Sequence, residues 1–323
     1  MAERVLNWGL LSTARINRAL IPALRNSSRN RLGAVASRNQ AAADAYAREW
    51  KIERALGSYE ALLADPEIDV IYISLPNHLH AEWSIKALRA GKHVLCEKPL
   101  ALTVDEVDAM KAAAQESRTV LAEAFMYRHH PQTLRVKEIL DSGELGQLQL
   151  IKGAFTFTLN REGNFRLSAE TGGGSIWDVG CYPISYARMA AGSEPDAYSG
   201  WQTIGPGGAD LLFVGQMRFP NGIYAQFESS FISPFRAFME FVGTDGLLEV
   251  PTPYKPGLHE KMRLRRGDHD QTIEVRGTEL YSGEVEDMAD AVLLGKPPRI
   301  SLADSRGTVA AILGLLAAAR ADR

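Results

Sequence analysis

The sequence predicts an α/β protein of two domains: a doubly wound parallel sheet over residues 1–123, then an α+β domain with an open, mostly antiparallel sheet over 124–323. Three observations carry this. Short apolar runs alternate with segments of helical period from Arg4 to Ala122, the pattern of βαβ units. From Phe125 onward the pattern changes to longer stretches of alternating apolar and polar residues, which suit antiparallel strands with one wet face. A chain of 323 residues also exceeds what one hydrophobic core usually organises.

Taken in order, Arg4–Leu10 reads as a strand that leads into a helix whose Ile16, Leu20, Ala23 and Leu24 share one face. Ser12 or Thr13 is expected to cap that helix, with its N–H groups pointing at whatever lies above the strand end. Leu32–Ala36 is the next strand, followed by helices Ala41–Trp50 and Glu60–Leu63. Asp69–Ser74, D-V-I-Y-I-S, is a strand buried on both faces, and helix Ala81–Ala90 stops at Gly91. Strand His93–Cys96, helix Val104–Glu116 with Thr103 as its cap, and strand Val120–Ala122 complete the first domain.

The first turn carries a phosphate signal. Gly9-Leu10-Leu11-Ser12-Thr13-Ala14 occupies the positions of G-x-G-x-x-G/A between a strand and a helix. Gly9 and Ala14 fit. Leu11 replaces the glycine that lets a pyrophosphate approach the backbone, so either its side chain angles away or the phosphate shifts. The second strand ends Ala36-Ser37-Arg38-Asn39, with no carboxylate to hold ribose hydroxyls. A hydroxyl and a guanidinium suit a 2′-phosphate, which favours NADP and leaves NAD as the other possibility. The competing reading makes Ser37 a helix cap and Arg38 a solvated charge.

His93–Leu100 reads H-V-L-C-E-K-P-L. Proline cannot donate to a sheet ladder, so the strand stops there and leaves Lys98 at its carboxyl end, where open α/β sheets bind ligands. A surface ion pair closing the strand is the alternative.

In the second domain, helix Thr133–Asp141 precedes strands Leu148–Leu159, Leu211–Phe219, Ile223–Ser230, Phe238–Val242, Leu247–Val250, Met262–Arg265 and Gln271–Val275. Asn221-Gly222 reads as a hairpin turn of the favoured type. Helices Glu284–Leu294 and Ser305–Ala319 close the chain. Within this domain lies Thr171–Ile184, T-G-G-G-S-I-W-D-V-G-C-Y-P-I. Its glycines permit close backbone approach, and Asp178 and Tyr182 fall at i and i+4 of a helix over Ser175–Tyr186. A carboxylate beside a phenol is a plausible acid/base pair; the plainer reading is a helix-start carboxylate and a core aromatic. Gly180 and Pro183 give this helix poor intrinsic propensity, so something other than local stability keeps it.

Bulk properties narrow the function. A net charge of −3 with dispersed Lys and Arg gives no reason to expect nucleic acid or a membrane surface as partner. The densest basic run, Lys261–Arg266, alternates like the wet face of a strand. Two distant cysteines, Cys96 and Cys181, suggest neither a zinc site nor a disulfide framework, and no metal is expected. The N-terminus runs straight into a strand without the features of an export signal, which suits a reduced cytoplasm. Apolar run Val309–Ala319 is too short to span a bilayer and reads as a buried helix.

These fragments together resemble the glucose–fructose oxidoreductase / inositol dehydrogenase / rhizopine-catabolism (Gfo/Idh/MocA) family. The matching pieces are G-L-L-S-T-A, S-L-P-N-H-L-H at Ser74–His80, C-E-K-P-L at Cys96–Leu100, F-M-Y-R-H-H-P-Q at Phe125–Gln132, and G-G-G-S-I-W-D-V-G-C-Y-P at Gly172–Pro183. They cover both domains in order. Tyr rather than His at 182 is most similar to the branch with dihydrodiol and D-xylose dehydrogenases.

The resemblance implies a Rossmann first domain and an NADP-dependent oxidoreductase. Its reaction would move a hydride between nicotinamide and a sugar, polyol or vicinal diol. It implies Lys98 as the catalytic lysine, often before a cis proline, Tyr182 as proton donor or acceptor to the substrate oxygen, and Asp178 as its partner. A neighbouring ammonium would favour the phenolate and lower the tyrosine pKa from about 10. The cofactor side would comprise Gly9, Leu11, Ser12, Thr13, Ala14, Ser37, Arg38, Leu75, Pro76, Asn77, His80, Glu97 and Lys98, with Pro76, Asn77 and His80 along the nicotinamide ribose and ring. Arg128, Asn164 and Arg166 join Asp178 and Tyr182 as candidates for substrate contact. A homodimer or homotetramer through the exposed face of the second sheet is expected by analogy. Two other functions stay open: a non-catalytic nucleotide-sensing regulator, and glucose–fructose-type oxidoreduction with tightly held cofactor.

Overall fold

Six apolar runs of the first half pair edge to edge, all in parallel. The computed structural model describes residues 4–160 and 163–321. Its first sheet contains β1 (Leu6–Leu11), β2 (Asn30–Ala36), β3 (Arg54–Leu56), β4 (Val70–Ile73), β5 (His93–Glu97) and β6 (Leu121–Ala124), in the order β3-β2-β1-β4-β5-β6. The connecting helices are α1 (Asn17–Asn26), α2 (Gln40–Trp50), α3 (Tyr59–Ala64), α4 (His80–Arg89) and α5 (Val104–Ser117). Strand order reverses between β1 and β4, which makes their carboxyl ends the switch point of the sheet. Both faces of the central strands are covered, and every residue of β4 is buried.

Local chemistry explains the helix starts. Thr103 and Glu106 form a complete capping box on α5, and Asn39 accepts from the Ala42 N–H to cap α2. The expected cap at Ser12 or Thr13 is not made: α1 begins at Asn17, with no side-chain cap at Ile16. The Ser12 hydroxyl faces Ser74 instead, at 2.8 Å. Strand β3, Arg-Ala-Leu, is too short to show a period in the sequence.

The second sheet has eight strands. After α6 (Pro131–Asp141) come β7 (Leu148–Thr158), α7 (Cys181–Ala191), β8 (Ala197–Ile204), β9 (Asp210–Arg218), β10 (Tyr224–Ser230), β11 (Ile232–Gly243), β12 (Leu247–Val250), β13 (His259–Arg266) and β14 (His269–Arg276). Their order is β14-β13-β12-β11-β7-β10-β9-β8, antiparallel throughout except for β7 beside β10. Alternation holds on β13, where Met262 and Leu264 are buried and Lys261 and Arg263 exposed.

Three details depart from expectation. Strand β8 has no clear alternation in the sequence; Gly200 interrupts its pattern because the Phe213 ring occupies the space a Cβ would need. Strand β11 begins at Ile232 rather than Phe238 and shifts register between Ile232 and Arg236, around Pro234. The β9–β10 hairpin is not a two-residue Asn-Gly turn. Gly222 N–H bonds to the Phe219 carbonyl and only Gly222, at φ +83°, is left-handed, so a turn through Pro220-Asn221 is followed by a glycine bulge.

The chain forms two compact units, one built from the chain up to Met126 with Tyr281–Arg306, the other from Tyr127–Leu280 with the chain from Gly307 onward. Helix α8 (Ser282–Leu294), which a division at residue 123 leaves in the second domain, packs on α1 in the first unit. Arg29 holds it there, with Nε 2.8 Å from Glu286 Oε2 and Nη1 2.6 Å from Asp290 Oδ1. Helix α9 (Leu302–Ala321) is longer than the run seen in sequence, and by length and composition it could cross a membrane. It buries Val309, Ile312 and Leu315, and its Thr308 hydroxyl lies 2.6 Å from Arg188 Nη1.

Candidate active site

The candidate residues of the first unit gather at the carboxyl ends of β1, β2, β4 and β5. Leu11 is the last residue of β1, paired with Ala36 and Ile73 and fully buried, so its side chain points into the core and away from the turn. The unusual backbone falls one residue later. Ser12 has φ +146°, which L side chains rarely adopt. It is held there by Asn17 Nδ2 on its carbonyl at 2.8 Å, while Ser74 Oγ lies 2.7 Å from Asn17 Oδ1. Ser12, Asn17 and Ser74 thus tie the turn after β1 to the turn after β4. Thr13 and Ala14 are half-buried in that turn, and Ala14 N–H bonds to the Ser12 hydroxyl. Gly9 lies deeper, inside β1, where Leu62 leaves no room for a Cβ.

At the end of β2, Ser37 is half-buried and Arg38 exposed. Because Asn39 caps α2, the Ser37 hydroxyl is not used as the cap. The Arg38 guanidinium lies beside the Tyr59 phenol, whose pKa burial raises and Arg38 draws back.

Lys98 follows β5 directly and is half-buried, ahead of a cis peptide bond to Pro99. Its surroundings are fixed by buried polar groups. Tyr72, wholly buried on β4, donates to the Glu97 carboxylate. Glu123 Oε1 accepts from Leu100 N–H at 2.9 Å. His80, with no exposed surface, has Nδ1 2.8 Å from the Pro99 carbonyl and Nε2 2.8 Å from the Leu75 carbonyl. Its ring lies between the turns after β4 and β5, and as a neutral imidazole it carries one N–H and donates to one of these two carbonyls. Burial lowers the His80 pKa, the two carbonyls oppose that, and Lys98 adds to it. Pro76 is half-buried and Asn77 buried in the first of these turns.

The second unit presents Asp178 and Tyr182. Asp178 lies in a wide π-helical turn, Ile176–Gly180, that runs into α7, so the i, i+4 pair spans a change of helical pitch rather than one regular face. Packing maintains this weak helix: Gly180 lies against Ser229 on β10, and Gly153 on β7 leaves just enough room for Pro183. Arg166 Nε donates to Asp178 Oδ2 at 2.7 Å, and Asn164 caps the Arg166 N–H. Tyr182 is almost fully buried, its ring 5.6 Å from Tyr127, 5.3 Å from Phe155 and 5.4 Å from Tyr254. Arg128 reaches the Ser185 hydroxyl at 3.0 Å.

Several contributors had no signature in the sequence. Asn17, Ser74, Tyr72 and Glu123 act across strands, and Asp210 acts from β9. The Asp210 carboxylate is buried and accepts from Ser175 Oγ at 2.5 Å and Ile176 N–H at 3.0 Å. Burial raises its pKa, and those two donors pull it back.

A parallel sheet with this strand order, a polar turn after β1 and a lysine at the end of β5 define a dinucleotide-binding oxidoreductase. The comparisons make the family specific. Residues 6–125 match the oxidoreductase family with an NAD-binding Rossmann fold, and residues 133–249 match the GFO/IDH/MocA C-terminal domain. The chain belongs to the GFO/IDH/MocA family of oxidoreductases. It is 38% identical over 302 residues to D-xylose 1-dehydrogenase (NADP(+)) 2 of Haloferax volcanii, covering 92% of each chain. Trans-1,2-dihydrobenzene-1,2-diol dehydrogenase of Danio rerio is 32% identical over 76% of this chain and 74% of its own. Among solved structures, a 3-ketoreductase from Actinomadura kijaniata in complex with NADP and TDP-benzene superposes with a TM-score of 0.90 at 29% identity, over 98% of both chains.

Proposed function

We propose that this chain is an NADP-dependent dehydrogenase or reductase that interconverts an alcohol and a carbonyl on a sugar, polyol or vicinal diol. The observation that carries it is Lys98 at the carboxyl end of β5, in a segment held by Glu123 and His80. The D-xylose, diol and nucleotide-sugar relatives support the substrate class.

The chain's own residues fit the cofactor. The Ser12 turn and the Ser74–Asn77 turn line the switch point, and the β2 end offers Ser37 and Arg38 without a carboxylate. Gly9, Leu11, Thr13, Ala14 and Leu75 shape that turn region, with Pro76, Asn77 and Glu97 at the strand ends. When bound, the nicotinamide supplies the hydride acceptor or donor. In the oxidation direction, Tyr182 takes the hydroxyl proton as a phenolate and becomes the phenol, and an ammonium, the role given to Lys98, favours that phenolate beforehand. Asp178, held by Arg166, orients a substrate hydroxyl, and Arg128 and Asn164 support the same pocket.

Copies of the chain pair through the open face of the second sheet, where Trp201, Val214 and Tyr224 are exposed. We place the enzyme in a reducing cytoplasm, where the buried Cys96 and Cys181 thiols, neither of them in a disulfide, are stable.

A screen of aldopyranoses and vicinal diols with NADP and NAD, run on wild type and Lys98→Met, tests the reading. Turnover with NADP that disappears in Lys98→Met, while a tryptophan-quenching titration still reports nucleotide binding, is expected. Near-wild-type turnover in that variant would sink the assignment.

A further inference from the structure

The run of glycines before Asp178 is seated between two supports, both in the second unit. On one side, Gly174 N–H bonds to the Arg166 carbonyl at 2.8 Å and Gly173 N–H to the Ser168 carbonyl at 2.9 Å. These contacts bring the loop that carries Arg166 against the start of the helix. That loop also rests on the segment just before β9: Ala169 N–H bonds to the Gly207 carbonyl at 2.9 Å, and Ser168 bridges Gly208. On the other side stands Asp210, the first residue of β9. Its carboxylate takes the Ser175 hydroxyl and the Ile176 N–H, while Ser175 Oγ lies 3.0 Å from Ser229 Oγ on β10. Gly174, at φ +128°, passes so close to Asp210 Oδ1 that a Cβ there would collide with it. The Gly174 carbonyl in turn accepts the Asp178 N–H at 3.0 Å. The support for Arg166 and the support for Asp178 therefore meet at one buried side chain.

We propose that Asp210 is a positioning residue for the Arg166–Asp178 pair: its carboxylate locks the π-helical turn that bears Asp178, ahead of the aromatic cluster that holds Tyr182. This rests on the reading of Asp178 and Tyr182 as reaction residues. A carboxylate suits the task because the helix start offers unpaired N–H groups and the positive end of the helix dipole. With the lock removed, the π-helical turn relaxes and Asp178 drifts relative to Arg166. A misplacement of this kind, remote from the chemistry, costs on the order of 10²-fold in rate.

The test is a double-mutant cycle on the full-length enzyme with NADP and its best substrate. Asp210→Asn keeps an acceptor for Ile176 N–H and loses the charge; its kcat should fall roughly 10- to 10²-fold with the KM for NADP unchanged. Ser175→Ala removes one donor and should show a smaller loss of the same kind, and it carries the test should Asp210→Asn not fold. In an Asp178→Ala background neither substitution should lower kcat further, because the residue they position is gone. Losses that multiply in that background identify a general structural role and overturn the proposal, as does full activity in Asp210→Asn. Wild-type activity in Lys98→Met and Asp178→Ala would instead bring down the underlying reading and this proposal with it. Loss in those two variants, with multiplying losses at Asp210, overturns this proposal alone.

Discussion

The two sets of candidate residues are held in place by different means. Around Lys98, buried side chains grip the backbone: His80 spans the Leu75 and Pro99 carbonyls, and Glu123 takes the Leu100 N–H. Those anchors lie at the start of α4 and on β6, the strand beside β5, so sheet topology alone brings them to the end of β5. Around Asp178 and Tyr182 side chains hold the site side chains themselves: Arg166 takes the Asp178 carboxylate and Tyr127, Phe155 and Tyr254 pack on the Tyr182 ring, while Asp210 grips the backbone of the preceding turn as Glu123 does in the first unit. A backbone grip survives variation of neighbouring side chains, whereas an arrangement built from side chains can be retuned by substitution.

Tyr182→Phe should show the largest effect. It removes one hydroxyl and keeps the ring in its aromatic cluster, so kcat should drop about 10²–10⁴-fold, the range for one general acid/base. Nucleotide affinity should stay constant, since the β1, β2 and β4 turns belong to the first unit. An equal loss of nucleotide affinity, measured by tryptophan quenching, would break the division of labour.

Arg38→Ala probes the other side of the comparison. Loss of a charge-assisted bond to a 2′-phosphate costs about 1.5–3 kcal/mol, so the KM for NADP should rise roughly 10- to 10²-fold. The KM for NAD should not move. A similar rise for both nucleotides would mean that Arg38 serves the adenosine or the fold rather than the phosphate.

Legibility in the sequence followed the same divide. E-K-P, P-N-H-L-H and the βαβ rhythm compress the first unit's site into short stretches, so Lys98 and the strand ends could be read directly. The Ser12 cap could not, because a serine before a helix looks the same whether it bonds the helix or a neighbouring strand's turn; only the parallel pairing of β1 with β4 brings Ser74 to it. In the second unit Asp178 and Tyr182 were visible from spacing, yet their supports were not. Asp210 lies 35 residues from Ser175, and no periodicity connects a residue at a strand start with a helix start in another part of the chain. Strand β8 stayed hidden because its midpoint glycine makes way for Phe213, a fact of packing rather than of pattern. The pitch change at Ile176–Gly180 was equally invisible, since Pro183 and Gly180 signal only a poor helix.

Glu123→Ala should have a smaller effect than either. It leaves the buried Leu100 N–H without its acceptor, a loss of about 1–3 kcal/mol, with a lowered Tm on calorimetry. Glu123→Gln keeps an acceptor oxygen and should recover much of that. If both variants melt alike, the charge of Glu123 matters more than its bond to Leu100, and the backbone-grip account of this unit is wrong.

The gentlest test uses protons. Burial holds His80 and His93 of the first unit below their usual 6.5, and His130 of the second unit likewise. A group whose folded pKa is depressed is protonated first in the unfolded chain, so stability is complete above pH 6.5 and declines as pH falls below it towards the folded pKa. Each such histidine contributes a slope of at most about 1.4 kcal/mol per pH unit. The first unit holds two of these rings and the second one, so comparable shifts at each make the first unit the more acid-sensitive. Calorimetry between pH 7.5 and 5.5 should therefore show the first unit's transition losing more stability. His93→Asn, whose side-chain oxygen can replace Nδ1 as acceptor for Val120 N–H, should reduce that loss without unfolding the sheet. Equal slopes for the two transitions, or no change in His93→Asn, would mean that these buried rings do not set the acid response and that the two units differ only in how they hold their site residues.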